Sequence, residues 1–340
     1  EGEVSTMSQT MPSAATLEEF TRPPSLLGRS ASGRYITVAF MALLLVLPLI
    51  AYFTGNTFYL DFATRIVCLS FAAVSLNLIL GFGGMISFGH AAFIGIGAYM
   101  VGIPAYHGFE SGWLHFPLAM LVSALFALVT GAVCLRTKGV YFIMITMAFA
   151  QMAYYFFLSL EEYGGDDGLT IYNRSILNII DIENKVVLFL LAYAVLVAGI
   201  YAVYRIVNSR FGMVVRGCQS NEARMKALGY NTYAYRLTAY VIAGTMCGLA
   251  GALLGNFQSF ISPDMMGWTR SGELMFMVIL GGTGTLFGPV FGAVAFLVIE
   301  EILSAFTTYW ALPFGILLIL SVLFIKGGLS GLIHRGLRHG

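Results

Sequence analysis

Apolar residues in this chain run in blocks instead of alternating with polar ones. From Tyr35 onward, stretches of about twenty apolar residues follow one another across short polar joints, the length a helix needs to cross a hydrocarbon core of about 30 Å. The blocks predict spans at 35–53, 58–80, 86–106, 114–135, 139–160, 186–207, 237–257, 287–305 and 310–326. A further apolar segment, GELMFMVILGG at 272–282, reaches only about half that thickness at about 1.5 Å per residue. Two blocks, NLILGFGGMISFGHAAFIGIGAYMVG at 77–102 and LGGTGTLFGPVFG at 280–292, are interrupted by glycine, a poor helix former.

The basic residues decide how the half-length segment is counted, because Lys and Arg collect on cytoplasmic loops. Arg22, Arg29 and Arg34 precede the first span, and Arg136 and Lys138 fill the turn at 135–139. Arg205, Arg210, Arg216, Arg224, Lys226 and Arg236 share one loop, and Lys326, Arg335 and Arg338 close the chain. With the amino terminus inside, all four groups fall on the cytoplasmic face only if 272–305 crosses twice. The half-length segment is therefore expected to be a helix of two or three turns extended by GGTGTLFG, giving ten crossings with both termini cytoplasmic. The outer loops then hold Asp61, Glu110, Glu161, Glu162, Asp166, Asp167, Asp181, Glu183, Asp264 and Glu273.

Composition agrees with this reading. The 340 residues are 58% hydrophobic and 10% charged, against about 25% charged in a soluble domain, and mean hydropathy is +0.83. The expected fold class is all-α, a polytopic membrane protein of about ten transmembrane helices with glycine-broken segments. Residues 1–34, rich in Ser, Thr, Pro and Glu, are expected to be a disordered cytoplasmic tail whose first residues need not be native. The first span, too long and too distant for a cleaved signal peptide, is expected to be an anchor. Residues 35–333 make the transmembrane domain, with a cytoplasmic loop at 206–236, and 334–340 a basic tail. Cys68, Cys134, Cys218 and Cys247 show no metal-ligand spacing and read as small packing residues. No metal site is expected.

Broken backbone inside a membrane needs protein or a water-filled cavity to satisfy its polar groups. The two glycine-rich stretches resemble one another: Leu80-Gly81, Phe88-Gly89 and Phe93 in the first match Leu280-Gly281, Phe287-Gly288 and Phe291 in the second. A duplicated, interrupted pair points to the central pathway of a transporter. The candidate wall residues are Asn77, Gly81, Gly83, Gly84, Ser87, Gly89, His90, Gly281, Gly282, Thr283 and Gly284. Glycine is also common where membrane helices touch, so single positions such as Gly95 and Gly102 read equally as packing. His90 lacks a neighbouring acid or second histidine in sequence and reads as a hydrogen-bonded structural residue. Glu300 and Glu301, toward the end of a long apolar helix, read as a solvated rim.

The basic loop contains GCQSNEARMKALGYN. Ser220 is expected to cap a helix beginning at Asn221, Glu222 and Lys226 form an i, i+4 pair, and Gly229 is a natural carboxyl cap. A helix of about two turns is marginal alone, so it is expected to lean on the membrane domain, lipid or a soluble partner. There is no GxxxxGK[ST], HExxH or GxSxG sequence, and hence no visible nucleotide-hydrolysing or catalytic site.

The stretches SLNLILGFGGMISFGHAAFIGIGAYM, GGDDGLT at 164–170, GCQSNEARMKALGYN and GELMFMVILGGTGTLFGPVFGAVAFLVIEEIL together resemble the branched-chain amino acid ABC transporter permeases (the LivH/LivM family), specifically the LivM type, across about 35–333. The resemblance implies a permease subunit of a bacterial inner-membrane importer of leucine, isoleucine and valine. It is not itself an enzyme and binds no cofactor; ATP and Mg belong to partner subunits. The implied partners are a LivH-type second permease, two LivG/LivF-type ATPase subunits, a periplasmic amino acid binding protein and membrane lipid, with no nucleic acid. By position, Ser220, Asn221, Glu222, Ala223, Arg224, Lys226 and Gly229 map onto the coupling helix that docks on the ATPase. Gly165, Asp166 and Asp167 map onto the binding-protein docking surface. Relatives that move urea, short amides or a broader range of amino acids share the framework. An ion-coupled secondary transporter would need buried acids that the central spans lack, and an intramembrane enzyme using Ser87 and His90 would lack an oxyanion site.

Overall fold

The computed structural model describes residues 31–172, 174–175, 183–309, 311–324 and 328–331. Both terminal tails apart from residues 31–34, and Asp181 of the acidic group, lie outside these residues. The helices are α1 Ala31–Phe53, α2 Thr57–Leu80, α3 His90–Tyr106, α4 Gly112–Cys134, α5 Val140–Leu158, α6 Lys185–Val207, α7 Arg210–Ala227, α8 Thr232–Gln258, α9 Trp268–Gly281, α10 Gly288–Phe306 and α11 Ala311–Phe324. A two-residue ladder pairs β1 (Leu169–Thr170) antiparallel with β2 (Phe260–Ile261).

Among the described residues, α1, α2, α4, α5, α6, α8 and α10 are long and apolar enough to cross a membrane, and α3 and α11 are shorter apolar helices. With α9 they make the ten apolar helices that the charge pattern requires. The half-length segment is completed differently from expectation. α9 gains its length at the amino end, starting at Trp268, while 282–287 of GGTGTLFG stays irregular. Fourteen residues give about 21 Å of helix. Likewise α3 starts at His90 and not at 86, because 81–89 is irregular.

α2 sits at the centre, buried on all sides along most of its length and packed by α1, α6, α8, α9 and α10. A helix that is apolar all round belongs inside. Its one deep charge, Arg65, sits two turns from the start, where its Nη2 is 3.1 Å from Glu300 Oε1 of α10. Glu300 is thus a paired, partly buried carboxylate instead of a solvated rim residue, since an isolated ion at this depth is costly.

Close backbone approach organises the rest. In α3 a Cβ at Gly97 would run into the Gly248 carbonyl of α8, and one at Gly251 of α8 would run into the Ile94 carbonyl. Gly95 faces Met266, and Gly102 faces Ile261 and Leu169. These four glycines serve packing. The four cysteines are buried and unbridged.

Candidate functional site

The two glycine breaks meet at one end of the bundle. Asn77, in the last turn of α2, spans them. Its Nδ2 donates to the Thr285 carbonyl at 2.8 Å, and its Oδ1 accepts the Gly284 amide at 3.1 Å. Gly81 lies directly against Asn77 and the Gly284 nitrogen, with no room for a Cβ. Gly84 (φ +65°) and Gly284 (φ +75°) take the left-handed conformation that favours glycine. In the second break Thr285 Oγ1 donates to the Gly282 carbonyl and accepts the Gly288 amide, fastening the start of α10.

The expected wall residues divide into buried and exposed sets. Asn77, Gly81, Gly83, Ser87, Gly89, His90, Gly281 and Gly282 are buried, whereas Gly84 and Thr283 are exposed and Gly284 is half-buried. Gly89 is pressed against the Thr146 carbonyl of α5, and Gly281 against the Gly288 carbonyl. The Ser87 hydroxyl accepts the Gly89 amide at 3.3 Å. The His90 Nε2 is 3.0 Å from Ser75 Oγ, and the next amide, Ala91, donates to Ser271 Oγ of α9 at 2.9 Å. His90 therefore orders the start of α3, while α9 caps the same helix from outside.

The basic loop folds as α7 and packs against this end of the bundle. α7 is two helices meeting at Asn221, whose backbone is extended (φ −159°, ψ 98°). The cap is one residue later than expected: Asn221 Oδ1 accepts the Arg224 amide at 2.9 Å, while Ser220 Oγ turns back to the Arg216 carbonyl at 3.3 Å. Asn221 takes this role because its extended backbone aims the side chain at the following turn. At the other end Gly229 (φ +86°) closes a paired cap, with its amide on the Lys226 carbonyl at 2.9 Å and the Tyr230 amide on the Met225 carbonyl at 3.2 Å.

Glu222, the one acid of the loop, has three cations around it. Lys138 Nζ lies at 2.7 Å, Lys226 Nζ at 2.9 Å and Arg236 Nη1 at 3.4 Å, with the Thr232 hydroxyl at 3.3 Å. Partial burial pushes its carboxyl up, but the three cations outweigh this and hold it at about 2. The carboxylate thereby ties the short helix to the α4–α5 turn and to the start of α8. Asn221, Ala223, Arg224, Lys226, Ala227, Leu228 and Gly229 are exposed. Lys138 and Arg236, read from the sequence only as cytoplasmic charges, join the site together with Gln219 and Thr285; the lone acid in a basic loop was the available signal for the first two.

At the opposite end, the loop bearing Gly165, Asp166 and Asp167 is fastened to α8. β1 pairs with β2, the Ser175 amide donates to Asn256 Oδ1 at 2.9 Å, and His115 Nδ1 is 2.6 Å from Ser175 Oγ. Gly165 is buried, and Asp166 and Asp167 are exposed.

Comparison with known proteins bears on what this arrangement serves. Residues 58–323 match the family model described as branched-chain amino acid transport system / permease component. The high-affinity branched-chain amino acid transport system permease protein LivM of Salmonella typhimurium is 25% identical over 314 residues, covering 85% of this chain and 74% of that protein. LivM of Escherichia coli is 25% identical over 330 residues, covering 90% and 77%. LivH of Escherichia coli is 25% identical over 281 residues, covering 76% and 90%. No solved structure matches. The chain, a polytopic bundle whose paired glycine breaks meet beneath a basic surface helix, belongs to the family of branched-chain amino acid transport permease components.

Proposed function

We propose that this chain is a LivM-type permease subunit of an ATP-driven importer for leucine, isoleucine and valine, working beside a LivH-type permease, two ATPase subunits and an external binding protein. The observation that carries this reading is the placement of an exposed, doubly capped, basic helix at the same end of the bundle as both glycine breaks. Residues 220–229 dock on the ATPase. Glu222 serves inside the chain, so the outward contacts fall to Ala223, Arg224, Ala227 and Leu228. The basic end faces the cytoplasm and the acidic end, with Asp166 and Asp167, receives the binding protein.

In the proposed cycle, ATP-driven closure of the ATPases displaces the docking helix, and the breaks around Asn77, Gly81 and Gly284 rearrange between inward and outward openings. Gly84 and Thr283 are exposed at the junction of the breaks and border the path. The path holds its cargo weakly, because a deep well would slow release. ATP and Mg act on the partner subunits.

The deciding experiment is ATP hydrolysis by the reconstituted complex with binding protein, comparing leucine, isoleucine and valine with other amino acids and urea. Stimulation restricted to the branched-chain cargoes is expected. Stimulation by another cargo replaces the substrate, and failure of the chain to bind any ATPase overturns the importer reading.

A further inference from the structure

The short helix and the glycine breaks are joined by one side chain that belongs to neither. Gln219 stands in the last turn of the longer half of α7, two residues before the extended Asn221. Its Nε2 donates to the Gly81 carbonyl at 3.1 Å, and its aliphatic stem fills the space at Gly84, where a Cβ would lie 2.8 Å from Gln219 Cγ. Gly81 follows the end of α2, where carbonyls have no partner within the helix, so an outside donor is required there. One turn earlier Asn77 uses both halves of its amide on Gly284 and Thr285. Contact therefore runs without interruption from α7 to the first break, and through Asn77 to the second.

The backbone around Gln219 suits it to pass movement inward. The half of α7 that precedes it is anchored by buried Val214, Val215 and Cys218, while the half beyond Asn221 is exposed apart from Glu222 and Met225. An extended residue between two helical segments lets one segment tilt against the other by changing few dihedrals. Gln219 lies beside that joint on the anchored side, already bonded to the break. Glutamine supplies the reach and a neutral N–H donor together. A glutamate of the same shape would set a carboxylate oxygen against the Gly81 carbonyl oxygen, with no hydrogen between them.

We propose that Gln219 is the positioning residue that transmits displacement of the ATPase-docking helix to the glycine breaks of the path. This rests on the importer reading given above. Gln219 is itself exposed and its side-chain amide bonds to the break, so co-purification of the ATPase subunits with each variant checks that insertion and folding survive its replacement.

The test uses the complete importer in proteoliposomes, with radiolabelled leucine and loaded binding protein, comparing the natural chain with Gln219→Glu and Gln219→Ala. The quantity read is leucine taken up per ATP hydrolysed, beside co-purification of the ATPase subunits. Both variants are expected to retain the ATPases while uptake per ATP falls at least tenfold. A purely structural role would lower uptake and hydrolysis together and leave the ratio unchanged, which overturns the proposal. Loss of ATPase binding in both variants also overturns it, by making Gln219 part of the docking face. A natural chain that binds no ATPase fails earlier and overturns the importer reading itself.

Discussion

Glu222 concentrates more electrostatic work than any other described side chain at the basic end, holding Lys138, Lys226 and Arg236 from three separate segments. Surface ion pairs contribute little singly, but this carboxylate is mostly covered, and its partners would be left facing one another without it. Glu222→Gln, nearly isosteric, is expected to cost about 1–3 kcal/mol in denaturant unfolding of the detergent-solubilised chain. The effect depends on pH with a definite sign. The folded carboxyl is held at about 2, below its ordinary value of 4.5, so the stabilisation is complete above the ordinary value and disappears as pH falls through the folded one. The difference between natural chain and variant should therefore be flat from pH 7 to about 5 and shrink between about 4.5 and 2. A difference unchanged at pH 2 would show that the charge plays no part. The Gly229 carboxyl cap and the i, i+4 pair at this helix were legible in the sequence, because both are set by neighbours within a turn, whereas the amino-terminal cap fell on Asn221 and not on the expected Ser220. Lys138 and Arg236 lie 84 and 14 positions away from Glu222, and only the fold brings them together.

Among the elements, α9 and α10 form a hairpin whose backbones touch. A Cβ at Gly292 would run into the Met277 carbonyl and lie 2.7 Å from the Gly281 nitrogen. Backbone on both sides cannot yield as a flexible side chain would, so Gly292→Val is expected to cost more than the usual about 1–3 kcal/mol of overpacking and to lower the yield of folded protein severely. Gly315 of α11 supplies the control, since nothing stands within 4 Å of a Cβ there. Gly315→Ala should be neutral or stabilise by up to about 1 kcal/mol, glycine being the weaker helix former. Size-exclusion profile and thermal inactivation of both variants check the contrast; equal behaviour would remove the packing argument. Glycine content in the sequence marked this region as unusual, yet composition could not distinguish Gly281, closed against backbone, from Gly84, whose left-handed φ makes a turn beside the flexible Gln219 side chain. The same residue type serves close contact in one place and a turn in the other, and the neighbour across the gap decides which.

At the scale of the whole molecule, the two ends differ in charge and in construction. One carries α7, the α4–α5 turn and the meeting of the breaks; the other carries Asp166, Asp167 and the β1–β2 ladder. In membrane vesicles of known orientation, a cysteine replacing Asp167 should react with an impermeant maleimide from outside only. One replacing Arg224 should react from inside only. Labelling of both from one face would overturn the orientation derived from the basic residues.

The chain's membrane class, the ten apolar helices among the described residues, the short surface helix with its Gly229 cap and the likeness of the two glycine stretches all follow from local pattern. Apolar length, charge sign and turn chemistry act over a few residues and survive without knowledge of neighbours. The tertiary structure alone decided that the two breaks touch, that Asn77 spans them, and that Gln219 reaches the first. It also decided that Arg65 pairs with Glu300, 235 positions along the chain. These are contacts between segments far apart in sequence, and a hydrogen bond or ion pair is set by distance in space, which no local pattern of residues encodes.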